Sequence, residues 1–114
     1  MSPTDLSIAY IDAYNRRDEQ ALRSFLPDEL VYVRPGPLTL RTVDEVVDLY
    51  RSEWAAHDSR CEIRSTLEVG DVFAGEVTLV SSLTGAEVEC GVFHRWIDGK
   101  LVSYRAYVDP RPEG

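Results

Sequence analysis

Two strand-like runs joined by an Asp98-Gly99 turn most constrain the fold of this chain. The runs span residues 87–97 and 101–108, and an Asp-Gly pair between alternating hydrophobic residues is a strong β-hairpin signal. Because side chains alternate along a strand, His94 shares one face of the first run with Trp96. A side chain that titrates near neutrality is therefore predicted to lie in an apolar stripe.

The first half of the chain has the periodicity and the end signals of helices. Ser2-Pro3 is typical of an N-cap followed by proline at the first helical position. Asp18 is expected to cap a second, short helix that Pro27 ends. Thr42 and Glu45 have the spacing of a capping box, which predicts a third helix from about residue 43 to about residue 57.

The remaining segments have the composition of strands. A short strand is expected at residues 30–34, before a turn at residues 35–37, and two more at residues 61–69 and 72–83 precede the hairpin. The order is then two helices, a strand, a helix and four antiparallel strands. This order predicts an α+β domain in which three helices pack on a curved, mostly antiparallel sheet and leave a cavity inside.

The length and the net charge of the chain limit the kinds of function that it can have. A chain of 114 residues with 44% hydrophobic residues suits one domain with a packed core. A net charge of −8 disfavours binding to nucleic acid or to an anionic membrane surface. No apolar run approaches the ~20 residues of a membrane span. Residues 1–5 lack the features of a secretion signal, so we expect a cytoplasmic protein.

Cys61 and Cys90 lie in unrelated segments, and neither has metal-ligand spacing with His57 or His94. Two reduced, buried thiols are the favoured interpretation, with a disulfide or a nucleophilic cysteine as the alternatives. Paired acids at metal-ligand spacing are also missing. We therefore expect no metal and no cofactor.

Three segments resemble the NTF2-like superfamily: residues 10–18 (YIDAYNRRD), 26–35 (LPDELVYVRP) and 93–107 (FHRWIDGKLVSYRAY). The nearest branches are SnoaL-like polyketide cyclases, ketosteroid isomerases and limonene-epoxide hydrolases. The resemblance implies a single NTF2-like domain at residues 1–109, with residues 110–114 as a flexible tail. It also implies a conical barrel that holds a small, mostly apolar molecule, and a homodimer formed through the outer sheet face.

The positions of the known catalytic groups can be compared one at a time. By similarity, Tyr10 matches the tyrosine with which ketosteroid isomerases bind an oxyanion. Arg34 stands where those enzymes have their general base, and Val92 where they have a second, acidic donor. Arginine keeps its proton, so that activity is not expected. The water-activating acid of the epoxide hydrolases corresponds to Ala106, so their chemistry is not expected either.

The same resemblance implies which strand faces point into the cavity. The catalytic candidates are His94, Tyr10 and Arg34. Seven further residues are expected to contact the substrate: Tyr14, Tyr32, Trp54, Val92, Trp96, Tyr104 and Ala106. For the aromatic members, plain core packing is the alternative.

Two of the candidates carry open alternatives. His94 is either a general base or ligand-binding group, or a core histidine that donates to a backbone carbonyl. Arg34 is a clamp for an anion or a carbonyl in the cavity, or forms a salt bridge with an acid such as Glu76 or Asp109, or lies exposed at the strand end.

Three functions remain open. The first is an isomerase- or cyclase-type enzyme in which His94 is the base and Tyr10 and Arg34 stabilise the oxyanion. The second is a non-catalytic ligand-binding module with the same cavity. The third is a dimeric accessory domain. The expected partners are a small apolar or polyketide-like molecule and a second copy of the chain, and neither nucleic acid nor membrane.

Overall fold

The computed structural model describes residues 1–108, which form three helices and one six-stranded sheet. The helices are α1 (Pro3–Asn15), α2 (Glu19–Phe25) and α3 (Val43–His57). The strands are β1 (Glu29–Arg34), β2 (Leu38–Thr42), β3 (Ser59–Val69), β4 (Val72–Ser81), β5 (Glu87–Ile97) and β6 (Lys100–Val108). The predicted tail at 110–114, the domain end at residue 109 and the placement of Asp109 lie outside the described residues.

The predicted helix starts are confirmed by their caps. The Ser2 hydroxyl accepts a hydrogen bond from the Asp5 amide at 3.1 Å, and proline follows at the first helical position. At α3, the Thr42 hydroxyl and the Glu45 carboxylate form the reciprocal bonds of a capping box. These bonds satisfy amides that have no partner inside the first turn, so each helix begins at a defined residue.

The sheet has the order β2-β1-β6-β5-β4-β3 and is antiparallel except where β1 pairs with β6. The predicted hairpin is β5–β6, and Asp98 and Gly99 in its turn both adopt positive φ, 51° and 75°. A register shift follows Arg95 in β5, and such irregularities add bend and twist to a strand. The predicted α+β class, with three helices on a curved and mostly antiparallel sheet, is confirmed.

One strand was not predicted. β2 pairs with β1 directly after the turn at residues 35–37, so the element order has six strands where the sequence predicts five. Within β2 only Leu40 is buried, and the other four residues are exposed. A short edge strand with one buried side chain has almost no hydrophobic periodicity, and its last residue, Thr42, is also the cap of α3.

The core lies between the helices and one face of the sheet. α1 contacts β3, β4 and β5, while α3 contacts β1 and β2. Within residues 1–108, no helix has both the length and the apolar character needed to cross a bilayer. The side chains of the helices and of the sheet do not fill the whole space between the two layers. The side chains around the remaining space form the candidate site.

Candidate functional site

A cavity of about 240 Å³ lies between α1, α3 and the inner face of the sheet. Most of its wall is apolar. Seven of the ten predicted site residues line it: Tyr10, Tyr14, Arg34, Val92, His94, Tyr104 and Ala106. The sheet register explains this grouping, since Val92 pairs with Ala106 and His94 pairs with Tyr104 across β5 and β6.

The cavity runs along β5 from the surface to the core. Every second residue from Val88 to His94 lines it, as expected for one face of a strand. Val88 is 41% exposed, whereas His94 is 1% exposed. The exposed Val108 of β6 also lines the cavity, near Cys90 with which it pairs. The open end therefore lies near Val88 and Val108, and His94 lies at the inner end.

Three predicted contact residues do not line the cavity. Tyr32 is buried behind it, with its ring stacked on Tyr104 at 4.1 Å. The Trp96 indole bonds to Ser7 of α1 at 2.8 Å. Trp54 packs against Tyr14, with ring centroids 5.5 Å apart, and does not line the cavity. These rings pack against the lining residues. For Tyr32 and Trp96, strand alternation predicts the face of the side chain but not its depth. Trp54 lies on α3, where that argument does not apply.

Arg34 lines the cavity with its guanidinium already paired. Its Nη1 and Nη2 atoms lie 2.6 and 3.2 Å from the two carboxylate oxygens of Glu53 on α3. The two side chains are 17% and 15% exposed. The partner is therefore Glu53 and not Glu76, whose carboxylate instead accepts a bond from Ser65 at 2.6 Å.

A chain of hydroxyl groups runs from Arg34 to the cavity wall. Nε and Nη2 of Arg34 both donate to the Tyr32 hydroxyl, at 3.0 and 2.8 Å. Tyr32 in turn donates to Tyr50 at 2.9 Å, and the Tyr50 and Tyr10 hydroxyls lie 2.7 Å apart. Burial raises the pKa of all three tyrosines well above the usual value, so they stay protonated.

Counting hydrogen atoms shows what this chain offers to a ligand. The Tyr32 hydrogen is used toward Tyr50, and the bond between Tyr50 and Tyr10 uses one more. One hydroxyl hydrogen is left over, on Tyr50 or on Tyr10, and both residues line the cavity. The arrangement can therefore donate one hydrogen bond into the cavity without breaking any other.

His94 is fully buried at the inner end of the cavity. Its Nδ1 lies 2.9 Å from the Ser7 hydroxyl, and its Nε2 has no hydrogen-bond partner within residues 1–108. Its ring packs on Tyr104, with centroids 5.0 Å apart. Burial lowers the pKa of His94 to about 3, so the ring is neutral at physiological pH.

The two cysteines also line the cavity and are both free thiols, as predicted, but each is only partly buried, whereas the prediction was of buried thiols. Burial raises the pKa of Cys61 to about 12, so this thiol is a poor nucleophile at neutral pH. Within residues 1–108, no three His, Cys, Asp or Glu side chains come together in the manner of metal ligands.

Sequence reasoning missed three polar members of the site. Ser7 lies three residues before Tyr10 on the same face of α1, and this spacing is a signal that could have found it. Tyr50 lies on the buried face of α3, where an aromatic residue is expected to pack in the core, and nothing local predicts the bonds of its hydroxyl. Glu53 lies three residues after Tyr50, which places it beside the same face.

Solved structures with low sequence identity share this architecture. An NTF2-like protein of unknown function from Cytophaga hutchinsonii superimposes with a TM-score of 0.83 at 16% identity, over 98% of this chain and 94% of that one. A candidate ketosteroid isomerase from Kribbella flavida gives 0.87 at 17% identity, over 98% and 81%. An LEH-like epoxide hydrolase from M. tuberculosis gives 0.83 at 20% identity, over 94% and 82%. At these identities the likeness establishes the fold alone.

Sequence comparison gives the family. Among curated proteins, none matches this chain. The sequence profile of the SnoaL-like domain matches residues 8–104, which include every element from α1 to most of β6. The protein therefore belongs to the SnoaL-like domain family and has the NTF2-like fold.

Proposed function

We propose that this protein binds a small, mostly apolar and uncharged molecule in the cavity that ends at His94. The observation that carries the proposal is His94, which lines the mostly apolar cavity and whose buried Nε2 atom has no hydrogen-bond partner within residues 1–108. Buried polar atoms without a partner are rare, and a bound ligand would satisfy this one. The volume of about 240 Å³ falls slightly below the ~300–1,000 Å³ of drug-sized sites, which favours a compact ligand of one or two rings.

The charge balance of the wall supports an uncharged ligand. Glu53 neutralises Arg34 and occupies both ends of its guanidinium. His94 and the buried tyrosines are neutral because burial disfavours their charged forms. An anion would have to displace Glu53 to gain a bidentate partner, and a cation would meet no free carboxylate among the described lining residues.

Acid–base catalysis of the isomerase or cyclase type is the second candidate. The hydroxyl chain from Arg34 to Tyr10 supports it, since donors at the end of such a chain could stabilise a developing oxyanion. A proton-abstracting base is the missing part. No aspartate or glutamate is among the described residues that line the cavity, and a histidine with a pKa near 3 is a weak base. The geometry therefore favours binding over catalysis.

Isotope-labelled methyl groups of the cavity provide the test. A panel of compact uncharged ring compounds is added to protein labelled at valine and leucine methyls. We expect selective shifts of Val92 and Leu79, which line the cavity, and unchanged signals of Leu67, which is exposed on β3. A panel in which no compound shifts the cavity methyls, while the protein remains folded, would rule the proposal out.

We also propose that two copies associate through the outer sheet face. Phe93 and Tyr107 are 45% and 56% exposed there, with ring centroids 5.9 Å apart. The outward residues of β5 are acidic at one end, at Glu87, and basic at the other, at Arg95. In a two-fold pair the acidic end of one copy can face the basic end of the other.

Sedimentation velocity tests the association. We expect a dimer for the natural sequence and a monomer for Phe93→Glu, which places a charge at the centre of this face. Ile8→Glu, at a similarly exposed site on α1 in the helical layer, is the control and should leave the dimer intact. A monomeric natural protein at micromolar concentration would contradict the proposal.

A further inference from the structure

Three side chains from opposite layers meet behind the inner end of the cavity. Ser7 lies on α1 and is fully buried, and its hydroxyl contacts both Trp96 Nε1 at 2.8 Å and His94 Nδ1 at 2.9 Å. Trp96 and His94 come from β5, two residues apart on the same face. One hydroxyl group of the helix thus contacts two side chains of the strand.

The chemistry of these three groups determines which of them donates each hydrogen bond. An indole nitrogen can only donate, so the Ser7 oxygen accepts from Trp96. The Ser7 hydrogen then needs an acceptor of its own. A helical serine often donates to a carbonyl three or four residues back, but within residues 1–108 the Ser7 hydroxyl has no hydrogen-bond partner besides Trp96 and His94. The one acceptor in reach is the Nδ1 lone pair of His94.

We infer that Ser7 holds His94 as the tautomer that carries its hydrogen on Nε2, and that this Nε2–H donates to an oxygen of the ligand. The inference rests on the proposed binding function and specifies its ligand class: an uncharged ring compound with a hydrogen-bond-accepting oxygen, such as a ketone, ester or ether. Ser7 and Trp96 are positioning residues, because they act on the ligand only through His94.

The assignment changes the role expected for His94. In this tautomer the single basic lone pair of the ring points at Ser7 and not at the cavity, so His94 is a donor and not a base. The leftover hydroxyl hydrogen of Tyr10 or Tyr50 is a second donor on the same wall. These donors, with no free carboxylate among the described lining residues, select for accepting oxygen atoms in the ligand.

The tautomer can be read from the free protein by nitrogen-15 NMR of the imidazole rings. The chain has two histidines, and the His57→Gln variant removes the other signal and so assigns His94. We expect a protonated Nε2 and an unprotonated Nδ1 over the neutral pH range. Ser7→Ala should give a mixture of tautomers, and Ser7→Thr should restore the single form. A natural protein with hydrogen on Nδ1 overturns the inference, and this result does not depend on the folding of any variant.

A second experiment tests the donor role of His94 by comparing the affinities of three ligands. Acetophenone, ethylbenzene and benzoate serve as an accepting, an apolar and an anionic probe of similar size. We expect acetophenone to bind roughly two- to tenfold more tightly than ethylbenzene, as one hydrogen bond allows, and benzoate to bind weakest. Acetophenone should also shift the Nε2 signal of His94. Equal binding of acetophenone and ethylbenzene overturns the donor role. Binding of none of the three counts against the proposed function, and the tautomer measurement then decides the inference by itself.

Discussion

The fold strongly suppresses the charge of His94. Its pKa falls from the ordinary 6.5 to about 3 because the ring is buried, whereas in the unfolded chain it keeps the ordinary value. Below pH 6.5 the unfolded state therefore binds a proton that the folded state does not. Stability contributed by the neutral ring is complete above about pH 6.5 and declines as the pH falls toward about 3.

This gives the first prediction. Between about pH 6.5 and about pH 3, His94 should make the free energy of unfolding fall by up to about 1.4 kcal/mol per pH unit. The His94→Asn variant cannot titrate and should lack this part of the slope. Urea unfolding at a series of pH values measures how the free energy of unfolding depends on pH. The control is His57→Asn, at an exposed position, which should keep the pH dependence of the natural protein. Equal slopes for His94→Asn and the natural protein would show that His94 is not buried as described.

The Arg34–Glu53 pair gives the second prediction. Glu53→Gln removes the negative partner and leaves a mostly buried guanidinium, so we expect a loss of about 3 kcal/mol in the free energy of unfolding. The double variant Arg34→Met, Glu53→Met should recover much of the loss, because neither charge then remains buried. Glu19→Gln, which breaks the exposed pair with Arg51, is the matched control with a much smaller expected effect. Similar losses for both glutamates would contradict the prediction.

The sequence was informative about the orientation of these residues and silent about their partners. Alternation groups His94 with Val92 on one face of β5, and the resemblance to the NTF2-like superfamily implied that this face and Ala106 point inward; all three residues line the cavity. Glu53 could not be assigned to Arg34, because the pair joins residues on a helix and a strand that meet only in the folded chain. The hydrogen bond between Ser7 and His94 spans 87 positions, so no local pattern announces it.

At the scale of elements, β3 and β4 fit closely around one glycine. A Cβ atom on Gly75 would lie 2.7 Å from the Phe73 ring and 3.2 Å from the Ser65 carbonyl oxygen. Phe73 is fully buried and packs on His94, with ring centroids 5.2 Å apart, so the ring has little room to move. The missing side chain at Gly75 therefore allows Phe73 to lie flat along its own strand.

The third prediction follows from this contact. Gly75→Ala should lower the free energy of unfolding by roughly 1–3 kcal/mol, the usual cost of overpacking. Gly91→Ala on the neighbouring strand meets no atom within 4 Å and should be neutral or slightly stabilising. Thermal and urea unfolding of the two variants make the comparison. A neutral Gly75→Ala would mean that the Phe73 ring is more mobile than its burial indicates.

The helices, whose ends carry capping residues, were predicted from the sequence. The strand β2, which has no comparable signal at its ends, was missed. The caps at Ser2 and Thr42 use bonds between residues three apart, so sequence alone predicted both helix starts. β2 is specified instead by its pairing with β1 and by the burial of Leu40, which are properties of the assembled sheet. The strand also ends in the residue that caps α3, so two local signals overlap at Thr42.

The cavity is a property of the whole molecule, since α1, α3 and five of the strands each contribute to its wall. Its existence depends on small side chains at points where the layers approach. Ala106 of β6 lines it opposite Val92, and a larger residue there would occupy the space of a ligand. A substitution that fills this space should therefore prevent ligand binding without preventing folding.

The fourth prediction uses this separation. A ligand that binds only the folded state, at a free concentration 100 times its dissociation constant, stabilises by about 2.7 kcal/mol. For a domain of this size that corresponds to a rise of roughly 10 °C in the unfolding temperature. In Ala106→Leu the ligand should no longer raise the unfolding temperature, while the unfolding transition should remain cooperative. Ala56→Leu, on the exposed side of α3, should show both the rise in unfolding temperature and the cooperative transition. An undiminished rise in Ala106→Leu would place the ligand elsewhere on the molecule, because the leucine side chain and the ligand cannot share a cavity of about 240 Å³ without cost.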